Sequence, residues 1–362
     1  MSHEIWLSDA NGTRLTLLES VISFAYARVV NGIGAFSITL PNTFSGGMIQ
    51  TDGRVEFWRD GRLQTAGLIR KMNYADDAKG LTTLVVGGVD MNDLLRRRIV
   101  AYAAGSVQAS KSGHADDVLK AIVRENLGAS ATATRAWTGA GLTVQADVGL
   151  APTMEKGFSW RNVFDVVKEI ADSSATAGTP LYFDIVPLVG LASTPFEFRT
   201  YITRRGLDHS ATSATPVVIG VEFGTLATPS RDEDHADERN YIYAGGQGEG
   251  AAREIVEVSD LARIGISPFG RCEDFADARN ESTTAGVTEA ANAALRDGRP
   301  HKTFGGNIVD SLSCRYGIEW DFGDTLTATY LGAQYTAMIK ALSIAVDATG
   351  KETIAARLEA TE

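Results

Sequence analysis

Short apolar runs that alternate with polar residues, broken by a turn signal every eight to fifteen residues or so, confine the first hundred residues to antiparallel sheet. Ile5, Trp6 and Leu7 are followed by Asp9, Ala10, Asn11 and Gly12, and then by a second run at residues 14–18. Residues 21–30 lead into Asn31 and Gly32, a pair that tolerates the positive φ angles of a hairpin turn. Residues 35–40 alternate until Pro41, which has no amide to give a ladder. Residues 54–58, 63–69 and 81–86 complete a set spaced like the strands of an antiparallel barrel or sandwich. A short helix is predicted over residues 90–99, with Asp90 capping its free amides and Arg96, Arg97 and Arg98 at its negative end.

The period changes after residue 100. Residues 112–127 place Val118, Leu119, Ile122, Val123 and Leu127 on one helical face and stop at Gly128. A second helix is predicted from Ser159, whose hydroxyl can cap it, with Trp160, Val163, Phe164, Val167 and Ile170 at helical spacing as core. Residues 142–146, 181–186 and 196–202 alternate as strands, and the small-residue loops 129–134 and 173–179 are the expected places for cleavage or insertion.

From Val217 the pattern returns to β. A strand at 217–223 precedes the charged loop 231–238. Then an aromatic run at 240–243 breaks into Gly245, Gly246, Gly248 and Gly250 and resumes as an alternating strand at 253–258. Glycine reaches positive φ without penalty, so this is the grammar of a hairpin. A phosphate cradle would need a helix start after the glycines, and a period of two follows instead. An alanine-rich helix is predicted over 282–296, and strands over 307–314, 325–330, 335–346 and 352–358. A chain of 362 residues exceeds one ordinary core. The expected fold class is mainly β with an α+β insertion. Residues 1–100 would form a first small antiparallel barrel-like domain, 101–216 a peripheral α+β domain, and 217–362 a second barrel-like domain with one inserted helix.

With 44% hydrophobic and 22% charged residues the chain has a globular make-up. No apolar run approaches the roughly 20 residues of a membrane helix, and the polar, acidic start lacks the pattern of a secretory signal, so no integral membrane contact and folding in the cytoplasm are expected. Cys272 and Cys314 are too few for a disulfide framework and are expected as free thiols. Residues 1–100 hold 11 basic and 10 acidic side chains, residues 101–216 hold 10 and 11, and residues 217–362 hold 13 and 24, so the whole net charge of −11 comes from the last part. Such a surface repels polyanions, or else is a solvated face that aids solubility.

No catalytic, cofactor-binding or metal site is assigned. The crowded acids Asp232, Glu233, Asp234, Asp237 and Glu238 with His235 could suit a hard cation, but the loop lacks the central glycine and closing glutamate of an EF-hand and reads otherwise as a mobile acidic loop. His3, His114, His209, His235 and His301 form no HExxH, and neither a GxSxG elbow nor a P-loop occurs. Glu319 and Asp321 are a carboxylate pair of a kind abundant in acidic domains. Arg96, Arg97 and Arg98 could touch phosphate or an acidic neighbour, but three charges make no extended footprint and a solvated helix end is the simpler reading.

The order of several stretches carries more than any one of them. The tyrosine-rich strand, GGQGEG, Arg253, and Gly270 to Glu273 ahead of an acidic turn and a helix resemble the tail-tip (baseplate) hub proteins of long-tailed bacteriophages. Residues 30–41 and 88–98 resemble that family's opening barrel in the same order, so the similarity spans nearly the whole chain. The resemblance implies a structural virion protein with two tube domains, residues 5–86 and the strands after Val217. Three copies would make a pseudo-sixfold ring joining the sixfold tail tube to the threefold tip. It implies as partners two further copies, the ring of distal tail protein, the tape-measure protein and tip fibre or receptor-binding proteins, with viral DNA passing through a lumen that acidic residues could line. Many hubs continue into fibre or peptidoglycan-cleaving modules, whereas this sequence ends at Glu362, so no lytic activity is carried over. The competing readings are a monomeric carbohydrate-binding adhesin, or a cell-wall enzyme with exposed Trp58, Trp137 and Trp320.

Overall fold

The computed structural model describes residues 2–41, 46–76, 82–102, 105–189, 195–279, 281 and 283–360. Contacts divide the chain into two compact units, one of Met1–Ala175, Thr179–Pro229 and Gly306–Glu362, the other of Thr176–Gly178 and Ser230–Gly305.

The larger unit is built on a sheet of twelve strands. Strand His3–Ser8 lies between Arg14–Leu17 and Arg54–Arg59, and the order continues through Arg62–Asp76, Thr82–Asp90, Ala35–Pro41 and Ser23–Val29, every pair antiparallel. The alternation read from the sequence is the pleat: Phe24 and Tyr26, Phe36 and Ile38, Val55 and Phe57, Leu84 and Val86 all point inward and are buried. Phe57 is the centre of this layer, with ring centroids of Tyr26 at 4.8 Å, Phe36 at 5.4 Å and Phe24 at 6.1 Å. Two strand glycines make room for Phe36. A Cβ on Gly88 would stand 2.3 Å from its Cζ, and one on Gly67 2.7 Å from its ring.

The mainly β class with an α+β portion is what the chain adopts, but among the described residues the strands form open sheets and no closed barrel. The reason is where the free edge of the first layer goes. Instead of pairing within residues 1–100, Ser23–Val29 takes the C-terminal half of Ala333–Val346 as its neighbour. The other half of that long strand pairs with Thr325–Tyr330 on the same side, while Glu352–Ala360 covers its opposite side. Asp208–His209 and Val218–Gly220 add in parallel to the edge of Thr325–Tyr330. Strands from both ends of the chain thus share one ladder.

The helices Ala115–Asn126 and Val163–Thr176 pack with the sheet of Leu181–Pro187, Phe196–Ile202 and Leu142–Val144 and with the hairpin of Ala109–His114 and Thr153–Phe158. Val118, Leu119, Ile122 and Val123 are buried as the periodicity predicts. Ala66, Leu68, Leu94 and Leu95 join the same core, which is why this region is one unit with the first strands. Three local expectations change. The predicted helix at 90–99 is a single turn, Asp93–Arg96, and Asp90 accepts instead from the amides of Gly34 at 2.6 Å and Asn92 at 3.0 Å. The second helix starts at Val163 with Asn162 Oδ1 accepting from the Phe164 amide at 2.9 Å, because the Ser159 hydroxyl is engaged with Tyr102. Trp160, expected in the core, is 57% exposed and has a φ of 52°, so it precedes the helix rather than sharing its face.

In the smaller unit the predicted hairpin forms, Tyr241–Gly245 against Ile255–Ser259. Glu273–Asp277, which reads as an acidic turn, is a third strand parallel to Tyr241–Gly245. Its backbone satisfies the central strand while most of its side chains stay in solvent, so it carries no apolar alternation to read. Helix Thr284–Asp297 buries Val287 and Ala291 against Ile242 and Ala244, and Thr283 caps it through the Gly286 amide at 3.2 Å. Ser282, the expected first residue of that helix, lies outside the described residues. The strand expected at 217–223 is only Val218–Gly220, that expected at 307–314 is His301–Ile308, and the first part of the charged loop is extended strand, Leu226–Asp234.

Candidate functional site

A polar cluster of the larger unit lies where its first and last segments meet. Arg59 is 5% exposed; its Nε and Nη2 each donate at 3.0 Å to Glu352, and its Nη1 donates at 3.1 Å to the Tyr316 carbonyl. His3 Nε2 is 2.7 Å from the same carboxylate. Arg62 reaches the Gly317 carbonyl at 2.6 Å and Asp321 at 3.2 Å, and the Tyr316 hydroxyl donates to Gln64 at 2.6 Å. Burial alone would raise the Glu352 carboxyl, but the His3 and Arg59 hydrogen bonds outweigh it and bring the group down to about 2. This is a clamp between segments roughly 290 residues apart in sequence.

The triple arginine is not a solvated helix end. Arg97 donates from Nε to Asp93 at 2.8 Å and from Nη1 to Asp52 at 2.8 Å, and Arg98 lies 3.9 Å over the Trp137 ring. Arg96 alone reaches out, paired with Asp93 at 2.5 Å. Sequence spacing could not supply Asp52 or Trp137, which come from distant strands and loops.

In the acidic loop Glu233 is held by Arg231 at 2.6 Å, Lys302 at 2.9 Å and His235 at 3.3 Å, while Glu238 is held by His235 and Arg263, each at 2.6 Å. Hydrogen bonds from Lys302 and Arg231 draw the Glu233 carboxyl down to about 2. Two of the five acids of the loop, Glu233 and Glu238, are thus held by side chains of the protein itself. Glu319 and Asp321 are likewise occupied, by Arg315 at 2.7 Å and Arg62 at 3.2 Å. His114 Nδ1 is 2.6 Å from the Ala151 carbonyl; His209 Nδ1 is 2.8 Å from that of Thr215, and its Nε2 is 3.6 Å from Asp324. Cys272 and Cys314 are free, and burial pushes the Cys314 thiol up to about 11.

Of the three tryptophans expected to be exposed, Trp320 is buried and Trp58 and Trp137 are half-buried. Trp320 is 1% exposed and packs 5.1 Å from Tyr316; Trp58 lies under Arg14 at 5.5 Å; Trp137 lies under Arg98.

The arrangement is a sheet whose first and last segments are held together by the Arg59–Glu352 pair. The family model described as Siphovirus ReqiPepy6 Gp37-like protein matches residues 3–358. The chain belongs to that family. No curated protein matches it. Its fold is similar to that of the 43 kDa tail protein of prophage MuSo2 from Shewanella oneidensis, with a TM-score of 0.62 at 11% identity over 98% of both chains. It is also similar to the tail protein from Neisseria meningitidis MC58, with a TM-score of 0.58 at 11% identity over 99% of this chain and 97% of that one. For the prophage tail protein gp18 from Listeria monocytogenes EGD-e the TM-score is 0.57 at 11% identity over 99% and 94%. The chain is thus a member of a siphovirus protein family, and its fold is similar to that of these tail proteins. No helix among the described residues is long and apolar enough to cross a membrane.

Proposed function

We propose that the chain is the hub of the tail tip, three copies of which close a ring between the sixfold tail tube and a threefold tip. The observation that supports this reading best is the junction of Ser23–Val29 with Ala333–Val346. Each chain carries two β layers, one from each end, joined edge to edge and clamped by Arg59 and Glu352. Two wall segments per chain turn three copies into six-part symmetry. Under this proposal residues 1–100 and the strands of 217–362 are wall, while residues 101–216 decorate it. The ladder leaves outer edges at Arg14–Leu17 and Glu352–Ala360, each with one strand neighbour, and unpaired edges are where sheets of separate chains join.

The ring would meet a ring of distal tail protein on one side and tip proteins on the other, with the tape-measure protein and then viral DNA inside. The charge supports a passive conduit more than a grip. Residues 230–305 hold 9 basic and 15 acidic side chains, more than half of the net −11. Light scattering of the purified chain over a range of concentrations checks the copy number. Three times the chain mass is expected, whereas a stable dimer or tetramer would contradict the ring.

A further inference from the structure

A cavity of about 350 Å³ opens in the larger unit beside the first helical turn, and its charged wall is unbalanced. Arg54, Arg97 and Arg98 line it against one carboxylate, Asp52. Asp52 is already shared between Arg97 at 2.8 Å and Arg70 at 2.6 Å. Arg54 is 1% exposed, an unusual place for a guanidinium; it lies 4.7 Å over the Phe196 ring and donates to the carbonyls of Ala140 at 2.7 Å and Ala10 at 3.0 Å. Arg98 stacks on Trp137 and donates only to the carbonyls of Arg97 and Arg135, both at 3.3 Å. Its Nε and Arg97 Nη2 are buried donors with no acceptor among the described residues. A buried charged donor left without an acceptor is costly, and a structure that keeps two beside one cavity has room for an acceptor to arrive. The electrostatics separate the three arginines: burial alone would lower the Arg97 guanidinium, but its hydrogen bonds to Asp52 and Asp93 hold it above its usual range, whereas the other two go the other way. Burial, then the nearby Arg135 and Arg97 charges, push the Arg98 guanidinium below its usual range, and burial does the same to Arg54.

We propose that this cavity binds a carboxylate carried on an apolar stem. The guanidinium edges match the two oxygens of a carboxylate, which a fork of N–H donors grips in a plane. The rest of the wall is apolar, with Leu68, Leu94, Ala10 and Ala140 alongside Phe196, so the group behind the carboxylate is a short hydrocarbon or aromatic one. The volume sits at the lower end of small-molecule sites, of order 300 Å³ and upward. Such a group comes either from a free organic acid or from an acidic side chain or chain terminus of a neighbouring polypeptide.

Calorimetric titration of the full chain tests this, with phenylacetate for the free acid, N-acetylglutamate amide for the side chain, and phenylacetamide and inorganic phosphate as controls. Saturable binding of at least one carboxylate is expected, with phenylacetamide at least tenfold weaker than phenylacetate. Tighter phenylacetate would assign a free acid, and tighter blocked glutamate a polypeptide source. Arg98→Gln is expected to weaken binding at least tenfold and Arg98→Lys less. The comparison of acid with amide on the unaltered chain stands even where a variant folds poorly. Three results would each overturn the proposal: no saturable carboxylate binding, equal binding of acid and amide, or phosphate bound more tightly than either carboxylate.

Discussion

Phe57→Ala is expected to lower the stability of the larger unit by about 4 kcal/mol, read as a shift of the urea midpoint at unchanged slope. The Phe57 side chain is 1% exposed and touches rings from two other strands, Tyr26 and Phe24 on Ser23–Val29 and Phe36 on Ala35–Pro41. Truncation removes the transfer free energy of the ring, leaves a void that a sheet with fixed hydrogen bonds cannot close, and deletes three aromatic pairs each worth about 1 kcal/mol beyond area. Phe57→Leu, which keeps most of the volume, is expected to cost less than half as much. A midpoint for the alanine variant within error of the parent would show that the layer around Phe57 is not packed as described.

Arg59→Leu is expected to cost about 3 kcal/mol, because it leaves Glu352 with its His3 contact but not that to Arg59, and the Tyr316 carbonyl without the Arg59 donor, both in a nearly dry place. The same clamp sets a pH dependence whose sign follows from Glu352. Its folded-state carboxyl lies at about 2, below the ordinary 4.5 it has when unfolded, so its stabilisation is fully present above pH 4.5 and is lost as pH falls from there to about 2. Over that window the parent protein is expected to lose about 3 kcal/mol from this group, and Arg59→Leu to lose less, since one of the two groups that favour the charged form is gone while His3 remains. Parallel acid curves for parent and variant would contradict the clamp. A common midpoint for fluorescence of the N-terminal and C-terminal parts would in turn show that the two ends unfold together.

The parts of this fold that were legible in sequence are those whose signal is local. Alternation placed the strands around Phe36, Phe57 and Val86, helical spacing placed Val118, Ile122 and Val167 in a core, and the glycines after Tyr243 marked a hairpin. Partnership was not legible, because a period of two states which face of a strand is apolar and nothing about which strand lies beside it. Hence the pairing of Ser23–Val29 with Ala333–Val346, and the open sheets in place of closed barrels, came only with the coordinates. Charged side chains misled for the same reason. In sequence Arg97 and Arg98 read as solvated because Asp52 and Trp137 are remote, and Arg54 reads as one arginine in a strand although it is buried beside a cavity. Trp160 was misplaced by a single local feature, a left-handed backbone angle just before its helix.

The central claim is that each chain supplies two neighbouring segments of a ring wall at the tail tip. An image reconstruction of the intact tail tip, without imposed symmetry, tests it most directly. The account predicts three copies in one ring next to the tube, with residues of 3–90 and of 325–360 alternating around it as six wall segments. Six copies in that ring, or three copies standing outside a wall made by another protein, would contradict it.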